Sequence, residues 1–177
     1  MDSFEQLCRV RRSIRKYTDR PIEQEKIDYL LRCALMAPSA KRSMPWEFIV
    51  VRDEAKLRPL TACRTYGSGM FATATAAIII VLDPTLCDNT WMADGAIAAE
   101  HILLAAAEQG LGACWCHVHQ REGAPELVRR LCEIPADKEV LCAIALGYPA
   151  EERHPFDLDK LKYDKIHNET YHSNNGR

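Results

Sequence analysis

The sequence has no excess of charge of either sign. Its 177 residues include 23 lysines and arginines and 25 aspartates and glutamates, so the formal net charge is −2. A simple polycationic nucleic-acid binder is excluded, because neutralising phosphates needs an excess of positive charge. Hydrophobic residues make up 47% of the chain and charged residues 27%, which is typical of a globular protein. With no repeat or linker to divide the chain, we expect one domain over residues 1–177.

Signals for export and for membrane insertion are also missing. The first six residues contain neither a basic nor an apolar stretch, so no signal peptide is expected. We therefore interpret the eight cysteines as mostly reduced thiols of a cytoplasmic protein. The Ala- and Leu-rich stretch 91–109 is about long enough to span a bilayer, but Asp94, Glu100 and Glu108 make insertion costly. It is interpreted as a long, mostly buried helix, and no membrane partner is expected.

Helical and strand patterns alternate along the chain. Apolar residues recur at helical spacing from Ile27, and the run Ile78–Leu82 is typical of a strand buried on both faces. The order is helix, helix, strand, helix, strand, helix, strand, helix, strand and tail, which predicts an α+β or α/β sandwich. The predicted helices are 3–10, 21–37, 53–63, 91–109 and 125–132, and the predicted strands are 46–51, 76–82, 113–118 and 139–146.

The segment 11–16 (Arg-Arg-Ser-Ile-Arg-Lys) places four cations and one hydroxyl in six positions. Guanidinium groups offer forked donors that match phosphate oxygens in pairs, and serine adds a further donor. The alternative is a solvated basic surface with scattered ion pairs. The sequence contains no GxGxxG and no Walker A motif, so neither a Rossmann-type dinucleotide fold nor a P-loop is supported.

A loop bounded by prolines follows the second predicted helix at 37–46. Two prolines restrict its shape, so that its side chains and amides can be placed in advance of binding. The alternative is an ordinary connection between a helix and a strand.

The stretch 114–119 (Cys-Trp-Cys-His-Val-His) contains four groups able to bind zinc. On a strand, however, Cys114 and Cys116 point to one face while His117 and His119 point to the other. Structural zinc sites usually need a C-x₂-C pair with a second pair further along the chain, so no metal is expected. A catalytic thiolate at either cysteine has no clear positively charged partner in the sequence.

Several stretches, in order along the chain, resemble the FMN-dependent nitroreductase family. They are Arg-Arg-Ser-Ile-Arg-Lys-Tyr at 11–17, Ala-Pro-Ser-Ala at 37–40, Pro-Trp-Glu-Phe-Ile-Val-Val at 45–51, Gly-Leu-Gly-Ala-Cys-Trp at 110–115 and Leu-Gly-Tyr-Pro-Ala-Glu at 146–151. The tail at 156–166 is similar to that of the compact bacterial members. Each motif is loose alone, but the ordered set is fairly specific and spans nearly the whole chain.

The resemblance implies an α+β fold, a three-layer sandwich around a central mixed sheet. It further implies an intertwined homodimer with FMN at the interface, which gives the tail from about residue 150 a partner to wrap. The implied activity is FMN-dependent NAD(P)H oxidoreduction with ping-pong kinetics. Hydride passes from NADH or NADPH to flavin N5 and on to a nitroaromatic, a quinone or a similar small acceptor. The alternatives are a flavin enzyme of the same fold with different chemistry, such as reductive dehalogenation or flavin breakdown, and a non-catalytic FMN-binding redox protein.

The resemblance also assigns residues to the flavin. Arg11 and Ser13 are expected at the ribityl phosphate, and Arg15 at the N1/O2 edge of the ring, where a fixed cation raises the reduction potential. The stretch whose backbone lies near the ring, with an amide available to N5, is matched by Trp115, Cys116 and His117. The remaining cofactor-binding assignments are Arg12 in the first segment, Pro38, Ser39, Ala40 and Arg42 in a segment from the other subunit, Lys160 in the tail, and Arg153 as a weaker alternative to Lys160.

Three positions depart from the family's usual pattern. Arg42 and Met44 stand where Asn and Gln are frequent, and Arg42 cannot accept a hydrogen bond. Arg42 is left with three interpretations: it binds an acidic substrate group, it binds the nucleotide's phosphate, or it points to solvent. His117 stands where Gly is frequent and either narrows the pocket, donates a proton to the reduced acceptor or simply packs. Arg15 and His117 are the candidate catalytic residues.

Overall fold

Helices and strands alternate as expected in the computed structural model, which describes residues 3–87 and 89–171. The helices among these residues are α1 (Phe4–Val10), α2 (Gln24–Leu35), α3 (Glu54–Leu57), α4 (Trp91–Glu108) and α5 (Ala124–Cys132). The strands are β1 (Trp46–Val51), β2 (Ala76–Leu82), β3 (Gly112–His117) and β4 (Glu139–Gly147). The last part of the expected domain and of its tail, residues 172–177, lies outside the described residues.

The predicted helix at 53–63 divides into two parts. Asp53 caps α3 as expected, because its side chain accepts a hydrogen bond from the Ala55 amide at 2.9 Å. A tighter 3₁₀ segment follows at Arg58–Cys63. Pro59 has no backbone N–H, so the α-helical hydrogen-bond ladder cannot continue through it.

The sheet has the strand order β1-β2-β4-β3, and each neighbouring pair is antiparallel. A mixed sheet, with parallel and antiparallel strand pairs, is expected, but all the pairs of named strands are antiparallel. A parallel pairing occurs at the bridge between Ser13 and Ala113, outside the named strands. β2 lies inside the sheet and all seven of its residues are buried, as the uninterrupted apolar run predicts. β3 lies at one edge, which leaves half of its backbone groups without a strand partner.

Two hydrophobic layers cover the two faces of the sheet. On one face, Ile78 and Ile80 pack with residues of α2 and α4, including Leu30 and Ile102. On the other face, Ile79 packs with residues of α3, α5 and the 3₁₀ segments. These layers confirm the three-layer α+β sandwich, and the period of two along β2 produces it.

An extended strap at 11–17 crosses the end of the sheet beside β3 and β4. The Ile14 amide donates to the Ala113 carbonyl at 3.1 Å, and the Thr18 amide donates to Tyr148 at 2.9 Å. Gly112 and Gly147 pair with each other across β3 and β4 under this strap. A Cβ on Gly112 would lie 2.7 Å from Ile14 Cγ2, and a Cβ on Gly147 would lie 2.7 Å from Tyr17 Cβ. The two glycines therefore let the basic segment lie directly on the sheet.

The long helix α4 is less buried than expected, because it packs one face against the sheet and leaves Met92, Ile97 and Glu100 exposed on the other. Its residues Ala98, Ala99 and Ile102 are fully buried against the sheet. Across residues 3–87 and 89–171, we find no helix with the length and apolar character needed to cross a membrane.

Candidate functional site

A groove of about 240 Å³ opens where the strap meets the end of α4 and the start of β3. Its walls include Arg11, Arg12 and Arg153, together with Glu151 and the backbone near Ala113. The fold thus brings together two arginines of the first segment and one of the tail. Three guanidinium groups and one carboxylate give the groove a net positive charge, which suits an anionic ligand group.

The two strap arginines in the groove have different partners. Arg11 Nε lies 3.8 Å from Glu100 Oε1 on α4, and both side chains are partly exposed. Arg12 donates to the His154 carbonyl, and its guanidinium lies 4.4 Å above the Phe156 ring. Arg12 therefore holds the tail against the strap. Arg11 has a single, longer ion pair among the residues that the structure describes, so its guanidinium is more available to a ligand than that of Arg12.

Glu151 links the strap to the tail. Its Oε1 accepts a hydrogen bond from the Arg15 amide at 2.6 Å, and its Oε2 accepts one from Arg153 Nη2 at 2.9 Å. The amide of Arg15 is the main cause that lowers the pKa of Glu151 below its ordinary value, with Arg153 contributing. The Arg15 side chain itself is exposed, and its Nη1 lies 3.4 Å from the carbonyl of Ser13. The backbone of Arg15 is thus fixed while its guanidinium remains available to a ligand.

Lys160 lies apart from this groove. Its ammonium pairs with Asp157 at 3.3 Å, and its side chain is 84% exposed. Within one chain, the tail places Arg153 and not Lys160 beside the strap arginines.

The segment at 38–44 has an unusual backbone. Lys41, Arg42 and Met44 have φ of 53°, 57° and 45°, a left-handed conformation that non-glycine residues adopt at a cost of about 1–3 kcal/mol each. Ser39 Oγ accepts a hydrogen bond from the Met44 amide at 3.0 Å and closes the loop. The Arg42 side chain is exposed. The loop is therefore held in one shape, as the two flanking prolines suggest.

Asp94 at the start of α4 anchors this loop. The Ala40 amide donates to Asp94 Oδ1 at 3.0 Å, and the carboxylate is only 4% exposed. Asp94 and the groove residue Ala107 are separated by about 20 Å along α4, at a rise of about 1.5 Å per residue. One chain therefore does not bring the 38–42 segment to the arginine groove.

β3 presents alternating faces, as its strand period predicts. Cys114 and Cys116 are buried in the layer formed by α3 and α5. Trp115 packs on the opposite face, and its ring stacks against His117 with centroids 6.1 Å apart. The Cys116 side chain thus points into the core, and only its backbone is left to face a ligand.

The outer edge of β3 carries open amides. The Ala113 carbonyl bonds to the strap, so the backbone groups of this residue point away from β4. Backbone direction alternates along a strand, and Trp115 and His117 therefore direct their N–H groups to the same outer edge. The stretch 115–117 is expected to offer a backbone amide to flavin N5, and both Trp115 and His117 have an amide on this edge.

Burial keeps the sheet cysteines in the thiol form. Desolvation raises the pKa of Cys116 to about 11, and it also raises the pKa of Cys114. Both groups are neutral at pH 7, so neither has the character of a catalytic thiolate. No group of three or more metal-binding side chains occurs among the described residues. His119 instead lies 3.6 Å from Glu139.

His117 is partly buried at the end of β3. Burial is the main cause that lowers its pKa below 6.5, and the positive charges of Arg121 and Arg64, together with His119, contribute. The imidazole is thus mostly neutral at pH 7. A proton donated by His117 at this pH would come from the N–H of the neutral ring.

Sequence reasoning missed Asp94 and Glu151 as residues that position the candidate site. Glu151 lies within the Gly-Tyr-Pro-Ala-Glu stretch, so a signal was present, but its partner in the strap, the Arg15 amide, is 136 residues away. In the sequence, Asp94 stands out only as a charge that opposes membrane insertion. No local pattern indicates that its partner is an amide 54 residues away.

The family is shown by comparison with known proteins. A model of the nitroreductase family matches residues 8–67 and 64–148. A protein of Archaeoglobus fulgidus named "Putative NADH dehydrogenase/NAD(P)H nitroreductase" is 38% identical over 175 residues, which is 97% of this chain and all of that protein. The chain belongs to the nitroreductase family.

Solved structures agree with this assignment. An FMN-dependent nitroreductase from Clostridium difficile R20291 superposes with a TM-score of 0.90 at 39% identity, over 95% of this chain and all of that one. A more distant relative is the 5,6-dimethylbenzimidazole synthase of Rhodospirillum rubrum, 26% identical over 90% of this chain and 88% of that protein.

Proposed function

We propose that the protein is an FMN-dependent NAD(P)H oxidoreductase that reduces a nitroaromatic, a quinone or a similar small acceptor. The observation that carries this proposal is that the arginine groove reaches β3 at Ala113, on the edge to which the Trp115 and His117 amides also point. Family membership and the FMN-dependent relative support it. When bound, FMN supplies the redox chemistry, because its ring takes hydride from the nicotinamide and passes it to the acceptor in two separate half-reactions.

The donors in this region suit FMN. Arg11, Arg12 and Arg153 supply guanidinium groups of the kind that bind a phosphate dianion. The outward amides of Trp115 and His117 supply neutral donors for the acceptor atoms of a planar ring. A molecule with a phosphate at one end and a heteroaromatic ring at the other matches this order of donors.

We infer that a complete site needs two chains. The preset loop containing Pro38, Ser39, Ala40 and Arg42 lies far from the groove of its own chain. In a homodimer it would complete the groove of the partner. The exposed Lys160 would likewise reach a partner's phosphate. Both inferences follow from the distance between these residues and the groove of their own chain. A partner chain would also give the wrapping tail from about residue 150 a surface to cover.

The roles of the candidate catalytic residues follow from their surroundings. The Arg15 guanidinium is held near the strap and is free to face the N1/O2 edge, where a positive charge stabilises the reduced ring. The His117 amide would donate to N5, while its neutral imidazole would border the acceptor. No strongly shifted acid or base is required, because water or ring N–H groups are able to supply protons.

The direct test is an absorption spectrum of the purified protein during anaerobic titration with NADH and then with NADPH. Flavin bands that bleach are the expected result, and the relative efficiency shows which nucleotide is preferred. A protein that neither carries nor takes up FMN would overturn the proposal. Bound flavin that does not bleach would indicate an FMN-binding redox protein without NAD(P)H oxidation.

Arg15→Ala tests the assigned role of the guanidinium. We expect at least about tenfold weaker FMN binding, from the loss of a charge-assisted contact, and a lower flavin reduction potential. FMN affinity is measured by fluorescence titration, and the potential by equilibration with a reference dye. The matched control is Lys16→Ala, the neighbouring exposed cation. Equal effects of the two substitutions would contradict a specific role for Arg15.

Flavin breakdown is the second candidate function, and the similarity to a 5,6-dimethylbenzimidazole synthase gives it a basis. Chromatography of the flavin after many turnovers separates the two. Intact FMN with consumed acceptor supports the reductase, whereas disappearance of the isoalloxazine ring supports the alternative.

A further inference from the structure

A second concave region lies beyond the carboxyl end of β3. It encloses about 450 Å³ and is lined by Cys63, Arg64, Thr65, Tyr66, Arg121 and Glu122. It shares no residue with the arginine groove, which contains Ala113 at the other end of the strand. β3 runs from Ala113 in the arginine groove toward the turn that carries Arg121, and we place the flavin along the outer edge of this strand.

The loop that forms one wall of this region is fixed by a buried serine. Ser68 is 1% exposed, and its Oγ accepts a hydrogen bond from the Arg64 amide at 3.2 Å. The same hydroxyl lies 2.7 Å from the Thr61 carbonyl, to which it donates. Gly67 turns the chain with φ of +92°, which leaves Tyr66 at the rim with 84% of its surface exposed. The backbone of Arg64 is therefore held in place beneath a free aromatic ring.

The charge of this region is positive. It contains two guanidinium groups and one carboxylate, and neither Arg64 nor Arg121 forms an ion pair among the described residues. Arg121 follows β3 by a short turn in which its amide bonds to the Val118 carbonyl at 3.1 Å. Both positive charges act on the His117 imidazole, which supports their location next to the end of β3.

We propose that this region is an oxyanion subsite, in which Arg64 and Arg121 bind the carboxylate or phosphate of the molecule that meets the flavin. Paired guanidinium groups without internal partners suit an oxyanion, and the exposed Tyr66 ring is placed to cover a planar group attached to it. The inference rests on the proposed function, because the end of β3 borders the reacting ring only if FMN lies along that strand. The proposed subsite predicts that the preferred substrate carries an anionic group. It assigns the binding of that group to Arg64 and Arg121, which share a cavity, and not to Arg42.

The anion has two possible sources, an acidic acceptor or the 2′-phosphate that NADPH carries and NADH lacks, and the experiment separates them. The holoenzyme and the variants Arg64→Gln, Arg121→Gln and the double variant are assayed with 4-nitrobenzoate and with its neutral analogue 4-nitrobenzamide. The same proteins are assayed with NADPH and NADH. Arg130→Gln is the matched control, since Arg130 is an exposed arginine on α5 outside the cavity.

We expect the ratio of kcat/KM for the acid to that for the amide to fall about tenfold for each arginine removed, mainly through KM. A fall in the NADPH-to-NADH ratio instead would support the subsite and identify the nucleotide as the source of the anion. The control should leave both ratios at the wild-type value. Unchanged ratios in the double variant, with flavin still bound, would overturn the subsite.

Calorimetry keeps this test independent of turnover. Binding of 4-nitrobenzoate and 4-nitrobenzamide to the purified proteins is measured without reductant. Acid binding that weakens about tenfold in the double variant supports the subsite even if the wild type reduces no acceptor, and in that case only the proposed function fails. Acid and amide binding that weaken equally, or not at all, together with an unchanged NADPH-to-NADH ratio, would overturn the subsite while leaving the reductase proposal intact.

Discussion

At the scale of single residues, the shape of the 38–44 loop depends on one buried carboxylate. Asp94 is nearly inaccessible, and burial of an unpaired charge is costly unless hydrogen bonds compensate for it. The Ala40 amide provides one such bond, and the position of Asp94 in the first turn of α4 adds the favourable helix dipole. The same bond holds a loop whose left-handed residues would otherwise relax.

Asp94→Ala should therefore loosen the 38–44 loop. The Ala40 amide loses its acceptor, so we expect the free energy of unfolding to fall by about 1–3 kcal/mol in urea titrations. FMN affinity should fall as well, because the loop completes the partner's site in the proposed dimer. Asp137→Ala, an exposed aspartate in a turn, is the control. If the variant is destabilised but binds FMN as tightly as the wild type, the proposed role of the loop in cofactor binding is wrong.

His117 provides a prediction about pH. Burial and the charges of Arg121 and Arg64 disfavour the imidazolium, so its pKa lies below 6.5. Removing one positive neighbour favours the charged ring, and Arg121→Gln should therefore raise this pKa. An NMR titration of the histidine ring signals measures both values, with Arg130→Gln as the control. A His117 pKa that stays the same or falls in Arg121→Gln would contradict this placement of the two side chains.

At the scale of secondary-structure elements, a pair of glycines determines where the strap lies. Gly112 and Gly147 face each other across β3 and β4, and Ile14 and Tyr17 occupy the space that their side chains would need. Tyr17 is further fixed by its hydroxyl, which donates to the Ile14 carbonyl at 2.6 Å. The basic segment is thus positioned by contacts of its apolar residues, which leaves the exposed Arg15 side chain available to a ligand.

Gly147→Ala should displace the strap. The new Cβ would lie 2.7 Å from Tyr17 Cβ, too close for any rotamer change to relieve, so we expect a loss of about 1–3 kcal/mol in stability. Movement of the strap should also weaken FMN binding. Gly69→Ala is the matched control, because no atom lies within 4 Å of its added Cβ. Thermal unfolding and flavin fluorescence titration report the two effects, and wild-type behaviour of Gly147→Ala would contradict the close packing.

At the scale of the whole molecule, the tail leaves apolar side chains in solvent. Leu161, Tyr163 and Ile166 are 41%, 57% and 67% exposed, although the Phe156 amide ties the tail to the Arg9 carbonyl in α1. Exposed apolar side chains along one segment are typical of a surface that another molecule covers. A second copy of the chain is the occupant implied by the proposed two-chain site.

Replacing two of these residues should weaken the proposed homodimer. Burial of a leucine or isoleucine contributes about 1.5–3 kcal/mol, so Leu161→Ser combined with Ile166→Ser is expected to raise the dimer dissociation constant at least about a hundredfold. Analytical ultracentrifugation over a concentration series measures it. Lys162→Ser combined with Lys165→Ser changes polar neighbours in the same tail and serves as the control. A wild-type monomer, or a variant dimer as tight as the wild type, would contradict the proposed assembly.

Much of this organisation was accessible from the sequence because it depends on local patterns. The apolar period around Ile27 and the uninterrupted run in β2 predicted their elements, and the period of two predicted the opposite faces of Cys116 and His117 on β3. The helix predicted at 53–63 is α-helical only in its first part. Pro59 has no backbone N–H to donate, and the second part forms a 3₁₀ segment. The ordered motifs also indicate the family without any tertiary contact.

Local patterns account for the order of elements, the buried β2 strand and the positions of the basic strap and the proline-bounded loop, because each is encoded within a few neighbouring residues. Three further features arise from tertiary packing: Glu151 holds Arg15, Asp94 holds the Ala40 amide, and Arg64 and Arg121 share a cavity beyond β3. These contacts join residues tens of positions apart. Their partners are selected by strand order and helix packing, which no local spacing specifies.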